Sequence, residues 1–222
     1  MSKDQWSAVD RYLTDLLVGA DPALEAVLRE SARAGLPAIN VAPNQGKLLH
    51  LLARATGARS ILEIGTLGGY STIWLARALP ADGKLITLEA DANHAAIARS
   101  NFARAGLSDT IELIIGRALD TLPRLHHDNR GPFDVTFIDA DKVSTPDYFA
   151  WSLKLSRRGS VIIVDNVIRQ GEVIDAESRD ASVGGVRRLM EMMANEPRVS
   201  ATAMQTVGSK GYDGFAMAVV TS

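Results

Sequence analysis

The sequence predicts an α/β fold in which helices cover both faces of a mostly parallel sheet. From about residue 60, short apolar runs alternate with stretches of helical spacing, and two more strand-like runs close the chain. This alternation is typical of βαβ crossovers, which produce parallel strands. The length of 222 residues suits one α/β domain and is short for two.

Three helices are predicted before the first strand. Apolar residues over 6–17 recur at spacings of three and four, which predicts the first helix. Asp21-Pro22 is a start signal for the second helix, because Asp suits the N-cap and Pro suits the first helical position. Gly35 can end that helix. A leucine-rich third helix ends near Gly57.

Seven short apolar runs are predicted to be strands. They are Ser60–Ile64, Lys84–Leu88, Ile111–Ile115, Val135–Ile138, Ser160–Val164, Val199–Thr206 and Phe215–Val220. Helical spacing separates the first five, and another helix, through Val186 and Met193, precedes the last two. Between those two, Gly208–Gly214 is predicted to be a loop. We expect one domain over 1–222, with N-terminal helices in 1–57 and an α/β core in 58–222.

Composition excludes several classes of protein. Hydrophobic residues make up 46% and charged residues 23%, which excludes wholesale disorder. A net charge of −2 argues against a nucleic-acid partner, since such binders usually carry a basic excess. Cysteine is absent, which excludes disulfides, thiolate metal sites and a cysteine nucleophile. No apolar run approaches the roughly 18 residues of a membrane span, so we expect a soluble, cytoplasmic protein.

Two features after the first two strands are typical of a nucleoside site, because ligands bind beyond the carboxyl ends of parallel strands. The loop from Glu63 to Ser71 contains Gly65, Gly68 and Gly69, which allow close approach to a ligand. It lacks the Gly-x-Gly-x-x-Gly dinucleotide pattern. An acid such as Glu89 can accept hydrogen bonds from ribose hydroxyls in both NAD and adenosyl-cofactor enzymes. The alternatives are a tight turn and a solvated carboxylate.

Acidic and amide side chains follow the fourth and fifth predicted strands. If these strands are neighbours, Asp139, Asp165 and Asn166 lie close together. Two bare carboxylates at this distance repel each other, and a divalent cation removes the conflict. Oxygen ligands suit Mg²⁺, Mn²⁺ or Ca²⁺ rather than zinc. Lys142 is within reach and, beside a cation, would have a lowered pKa that suits a general base. The alternatives are a turn-forming Asp-Asn pair and a surface lysine.

These residues stand in an order that resembles one enzyme family. The matching segments are Gln45-Gly46-Lys47, Glu63-x-Gly65, Gly69-Tyr70-Ser71, Glu89, Phe137–Lys142, Asp165-Asn166-Val167 and the closing 207–214. The resemblance is to the cation-dependent O-methyltransferases that act on caffeoyl-CoA and catechols, and it runs from about Val41 to the end of the chain. The likeness is strongest to small bacterial members that act on catechol-type phenols, including flavonoids. Many members have a tyrosine where this chain has Thr145, with Tyr148 following.

The resemblance implies a Rossmann-like fold, a cofactor, a metal set and a partner. S-adenosylmethionine would contact Val41, Glu63, Gly65, Ser71, Glu89, Ala118 and Asp139. Asp139, Asp165 and Asn166 would hold Mg²⁺, Mn²⁺ or Ca²⁺, and Lys142, Asp139 and Asn166 would act in catalysis. The acceptor would be a small phenol such as caffeic acid or a flavonoid, and the protein a homodimer.

Two other functions explain part of the pattern. An NAD(P)-dependent oxidoreductase would account for the sheet and for Glu89, but not for the acidic and amide cluster or the missing dinucleotide pattern. A dimeric adenosyl-cofactor-binding scaffold without catalysis would be expected to have lost part of the metal set, which is complete here. Methylation of structured RNA is disfavoured by the mildly acidic charge.

Overall fold

A computed structural model describes residues 2–222 of the chain. Its α-helices are α1 (Lys3–Leu13), α2 (Pro22–Arg33), α3 (Pro43–Ala55), α4 (Tyr70–Ala76), α5 (Ala92–Arg104), α6 (Ala118–His127), α7 (Thr145–Lys154) and α8 (Ala181–Asn195). Its strands are β1 (Ser60–Ile64), β2 (Lys84–Glu89), β3 (Ile111–Ile115), β4 (Phe133–Ile138), β5 (Ser156–Asp165), β6 (Val199–Gly208) and β7 (Gly211–Val220). A π-helical turn covers Thr14–Val18, and a 3₁₀ turn covers Arg169–Ile174.

The strands form one sheet in the order β3-β2-β1-β4-β5-β7-β6. Strands β1 to β5 pair in parallel, whereas β7 is antiparallel to both β5 and β6. The predicted seven-stranded, mostly parallel sheet with a closing antiparallel strand is therefore confirmed. The chain leaves β1 toward β2 and β3 on one side and returns to β4 on the other. Ligands bind at such a switch point in open α/β sheets.

Helices pack on both faces of this sheet, as predicted. One apolar core includes Leu122 of α6, Phe149 of α7 and Leu189 of α8. The other core, on the opposite face, includes Leu49 of α3 and Phe102 of α5. Strand residues contribute to both cores, so the parallel strands are apolar on both sides.

The predicted loop over 208–214 is wrong. Strand pairing continues to Gly208 opposite Gly211, so the connection is a two-residue hairpin turn. The glycines belong to the strands because the antiparallel ladder extends through them. At Gly214 a side chain would overlap the carbonyl oxygen of Met204, which explains why glycine is needed inside β7. β5 likewise begins at Ser156, four residues before the predicted start, because Ser156 pairs with Phe133.

The first helix has an uncovered apolar face. It forms as predicted but ends at Leu13, where the π-helical turn takes over. No residue of α1 is buried, and Tyr12, Leu16 and Leu17 are 65%, 63% and 70% exposed. No helix within residues 2–222 has the length and apolarity to cross a membrane.

The segment Asp139–Lys142, which follows β4, is packed between two glycines. Gly65 has a φ of +97°, and a side chain there would overlap the carbonyl oxygen of Asp139. Gly185, in α8, meets the carbonyl oxygen of Lys142 in the same way. Close backbone packing on both sides therefore sets the position of this acidic segment.

We predict opposite outcomes for alanine at two adjacent glycines of α8. Gly185→Ala should lower the free energy of unfolding by roughly 1–3 kcal/mol, since its methyl group has no space against the Lys142 carbonyl. Gly184→Ala is the matched control, because its nearest neighbour is the flexible end of Arg188 at 3.5 Å. It should stabilise the helix by roughly 0.5–1 kcal/mol. Urea unfolding checks both, and equal effects would contradict the packing argument.

Candidate active site

A deep cleft lies where the strand order reverses. It is a cavity of about 760 Å³ beyond the carboxyl ends of β1, β2 and β4. Six of the seven residues predicted to contact the cofactor line it, namely Val41, Gly65, Ser71, Glu89, Ala118 and Asp139. Lys142 and Asn166 line the same cleft. Residues far apart in sequence thus meet at one place because their strands end at the same edge of the sheet.

Glu63, the seventh of these residues, does not line the cleft. Its carboxylate is fully buried and accepts hydrogen bonds from the hydroxyls of Ser71, Thr72 and Thr87. Burial raises the pKa of Glu63 to about 7, although these three hydrogen bonds oppose the shift. Ser71 Oγ lies 2.7 Å from Glu63 Oε1 and itself lines the cleft. Glu63 therefore supports the wall of the site from beneath.

Glu89 links the glycine loop to the end of β2. Its Oε2 accepts hydrogen bonds from the backbone N–H groups of Thr66 and Leu67, at 3.2 and 2.8 Å. Its Oε1 accepts one from the N–H of Asp91, at 2.9 Å. Oε2 is thereby saturated, while Oε1 retains acceptor capacity for one further donor. This carboxylate can hold the loop in place and still accept a hydrogen bond from a ligand hydroxyl.

Strand register brings the two predicted acidic ligands together. Ile138 pairs with Val164, so Asp139 and Asp165 each follow at the same level of neighbouring parallel strands. Adjacent strands lie roughly 4.8 Å apart. Asn166 comes next with a φ of +57°, a left-handed conformation that asparagine tolerates better than most residues.

Asp165 is a buried carboxylate that lies close to the negative charge of Asp139. It is 5% exposed, and burial followed by the charge of Asp139 raises its pKa to about 7. Lys142, the N–H of Asn166 and the side chain of Gln45 act in the opposite direction. The site thus concentrates negative charge that its own residues compensate only in part.

The predicted metal ligands border two cavities. Asp139 lines the main cleft, Asp165 lines a second cavity of about 600 Å³, and Asn166 lines both. Within residues 2–222 no group of three His, Asp or Glu side chains is arranged to hold a metal ion. A cation here would therefore depend on the amide oxygen of Asn166 as the third protein ligand. Two carboxylates, an amide and water suit a hard cation such as Mg²⁺.

Lys142 is paired with one of these acids. Its Nζ donates to Asp139 Oδ1 at 2.9 Å, and its side chain is only 10% exposed. The surface-lysine alternative is therefore wrong. Lys142 places a positive charge and a proton-carrying nitrogen at the wall of the main cleft.

Sequence reasoning gave no role to two side chains that organise the site, although both stand in segments that it named. Gln45 Nε2 donates to Asp165 Oδ2 at 2.7 Å across 120 positions, and no local pattern marks this contact. Tyr148 lines the main cleft and donates from its hydroxyl to Asp141. It lies three positions after Thr145, where the family resemblance implies a tyrosine in many members, and that near match was the available signal.

Replacing Glu63 should change how stability depends on pH. The pKa of Glu63 is about 7 in the folded state, above its ordinary value of 4.5. The folded state therefore binds the carboxyl proton more tightly than the unfolded state does. The stability that this proton contributes is lost as pH rises from about 4.5 to about 7. In Glu63→Gln the fall in unfolding free energy between about pH 5 and pH 8 should shrink by roughly 2 kcal/mol. Denaturant titrations check this. Glu177→Gln, at an exposed position, should leave the fall unchanged, and equal falls in both variants would contradict the assignment.

Comparisons with known proteins agree with this geometry. The O-methyltransferase family model matches residues 16–218. A catechol O-methyltransferase of Niastella koreensis is 51% identical over 220 residues, covering 99% of this chain and all of that protein. A catechol O-methyltransferase of Mycobacterium tuberculosis is 54% identical, covering 96% of this chain and 94% of its own.

Solved structures agree as well. The O-methyltransferase from Bacillus cereus in complex with SAH is 59% identical, with a TM-score of 0.98 over 99% of this chain and 100% of that one. TomG from Streptomyces achromogenes, an O-methyltransferase involved in tomaymycin synthesis and solved in complex with SAM, is 52% identical, with a TM-score of 0.97 and full coverage of both chains. These matches exclude the NAD(P)-dependent oxidoreductase considered from the sequence. The chain belongs to the O-methyltransferase family.

Proposed function

We propose that this enzyme transfers a methyl group from S-adenosylmethionine to one hydroxyl of a catechol-type phenol, with a divalent cation held by Asp139, Asp165 and Asn166. The observation that carries the proposal is the juxtaposition of two carboxylates and an amide beside a cleft of nucleoside size. Relatives named catechol O-methyltransferase support the acceptor class, and the SAM and SAH complexes of similar enzymes support the cofactor.

The main cleft offers complementary groups for the cofactor. Ser71 Oγ donates its hydrogen bond to Glu63. Its lone pairs therefore remain free to accept a hydrogen bond from the ammonium group of the methionine moiety. The remaining acceptor capacity of Glu89 Oε1 suits a ribose hydroxyl. Gly65 allows close approach of the amino-acid end, and Ala118 offers a small apolar surface to the adenine.

The acidic cluster fits a divalent cation. Asp165 is buried and its carboxylate is destabilised by Asp139, so a bound cation would relieve a repulsion that the chain leaves partly uncompensated. When bound, such a cation supplies Lewis-acid chemistry that lowers the pKa of a coordinated hydroxyl. Asp139 and Asp165 would contribute the charge, and Asn166 would contribute a neutral oxygen.

We assign to Lys142 a role toward the proton of the phenolic hydroxyl. Its Nζ lies 2.9 Å from Asp139 Oδ1 at the wall of the cleft. As an ammonium group it would stabilise the phenolate, and only as a neutral amine would it take the proton itself. The walls of the cleft would then hold the methyl donor and the phenolate oxygen in line. Such positioning can supply roughly 7–11 kcal/mol of the rate enhancement.

The second cavity suits a flat aromatic acceptor. Asp165 and Asn166 border it, and the side chains of Trp6, Tyr212 and Phe215 contribute to its lining. An aromatic ring packed among these side chains would keep its hydroxyls beside the acidic cluster. The walls come from the N-terminal arm and the β6–β7 hairpin, so these elements are expected to set acceptor choice.

We also propose that the enzyme forms a homodimer through the N-terminal arm. The apolar side chains of α1 and its π-helical turn are exposed, and the turn packs beside α3, where Leu51 is 51% exposed. A contiguous exposed apolar patch commonly marks a protein interface. A second copy of this chain is the proposed occupant, because the family resemblance of the sequence implies a homodimer.

Methyl transfer should require the cation and its carboxylate ligand. With S-adenosylmethionine, caffeic acid and Mg²⁺, excess chelator should abolish turnover. Asp165→Ala should lower turnover by at least about 100-fold, since it removes a charge that acts at the reacting oxygen. Cofactor affinity, measured by calorimetry, should stay close to that of the wild type because Asp165 does not line the main cleft.

Asp147→Ala is the matched control. Asp147 is exposed on α7, and its loss should leave turnover unchanged. Turnover that survives the chelator would remove the cation from the mechanism. Near-wild-type turnover in Asp165→Ala would refute the ligand assignment.

Charges on the apolar face should dissociate the proposed dimer. Leu16→Glu combined with Leu17→Glu would place two carboxylates in a desolvated interface, which is strongly unfavourable. Light scattering coupled to gel filtration should show a dimer for the wild type and a monomer for this variant. Met192→Glu, on a partly exposed position of α8, should remain dimeric. A monomeric wild type would contradict the proposal.

A further inference from the structure

Asp165 has one side-chain partner within residues 2–222, and that partner comes from the N-terminal helices. Gln45 Nε2 donates to Asp165 Oδ2 at 2.7 Å, while Asp165 Oδ1 accepts the backbone N–H of Asn166 at 2.9 Å. Each carboxylate oxygen therefore has one donor and retains acceptor capacity. The rotation of the carboxylate about its axis is set by these two donors together.

The position of Gln45 is itself well determined. Its neighbour Asn44 accepts a hydrogen bond from Thr14 Oγ1 at 3.0 Å, which ties α3 to the N-terminal arm. On its other side, Gly46 is buried against the indole of Trp74, with no space for a side chain. The contacts of Asn44 and Gly46 thus hold in place the turn of α3 that carries Gln45.

An amide is chemically suited to this position. It donates a hydrogen bond without bringing charge, so it does not offset the negative charge that Asp165 would offer to a cation. A lysine here would neutralise the carboxylate, and a glutamate would add a third repelling carboxylate beside Asp139. In general, hydrogen bonds to a ligating carboxylate orient it, and their loss weakens a metal site.

We propose that Gln45 is a positioning residue that orients Asp165 toward the cation shared with Asp139 and Asn166. The inference rests on the proposed function, since it requires the cation site. It assigns to α3 a role in metal affinity, although every proposed metal ligand lies at the carboxyl end of β4 or β5. Gln45 also borders the second cavity, so its role must be tested in the absence of acceptor.

The test uses Gln45→Met, which keeps the length of the side chain and removes the donor. Free Mn²⁺ is measured by its electron paramagnetic resonance signal during titration of the full-length protein with S-adenosylhomocysteine present and acceptor absent. We expect the Mn²⁺ dissociation constant to rise by about 10–100-fold. At saturating Mn²⁺, kcat with caffeic acid should return to within about threefold of the wild type, because the ligands themselves remain.

Controls separate orientation from general damage. Arg54→Ala removes an exposed side chain from the same helix and should leave Mn²⁺ affinity unchanged. Gln45→Asn retains the amide on a shorter side chain and serves as a second variant if Gln45→Met does not fold. It should also weaken Mn²⁺ binding. The dissociation constant for S-adenosylhomocysteine should be equal in all variants.

Three outcomes would overturn the inference, and they differ in what else they overturn. If the wild type binds no Mn²⁺ at this site, the proposed function fails and the inference fails with it. If the wild type binds Mn²⁺ and Gln45→Met binds it equally well, only the assignment of Gln45 is overturned. A lowered kcat that saturating Mn²⁺ does not restore would also overturn it, because the side chain would then act on something other than cation affinity.

Discussion

The repulsion between Asp139 and Asp165 is the constraint around which the site is built. Parallel pairing of β4 with β5 places the two carboxylates at the same level, and burial of Asp165 intensifies their conflict. Lys142 compensates the pair of carboxylates only in part, because it brings one positive charge against two negative charges. The sheet thus maintains a concentration of negative charge that the proposed divalent cation would stabilise.

Close backbone packing holds this charge in place. The Asp139–Lys142 segment is confined between Gly65 and Gly185, where side chains would overlap its carbonyl oxygens. At the main cleft, Glu63 accepts hydrogen bonds from three hydroxyl groups, and Glu89 accepts hydrogen bonds from three backbone N–H groups. Buried acids therefore serve two purposes here. Glu63 and Glu89 orient the walls of the cleft, while Asp139 and Asp165 at the ends of β4 and β5 are the acids proposed to hold the cation.

The N-terminal helices contribute side chains to both the acidic cluster and the second cavity. Gln45 of α3 contacts Asp165, Asn44 ties α3 to the arm, and Trp6 of α1 lines the second cavity. The same arm presents uncovered apolar side chains on its outer face. Acceptor binding, metal orientation and association of two copies would then depend on one structural element, which would couple assembly of the dimer to the geometry of the cleft.

Local pattern was enough to predict the sheet, its helices and most of the cleft, because strand periodicity and the residues at strand ends depend on neighbours in sequence. It placed Gly65, Ser71, Glu89, Asp139 and Asn166 correctly in one region. It gave no sign that Glu63 lies buried beneath the glycine loop, that strand pairing continues through 208–214, or that Gln45 contacts Asp165. Burial beneath a loop, extension of an antiparallel ladder and a hydrogen bond across 120 positions exist only after the chain has folded, so tertiary structure alone decided them.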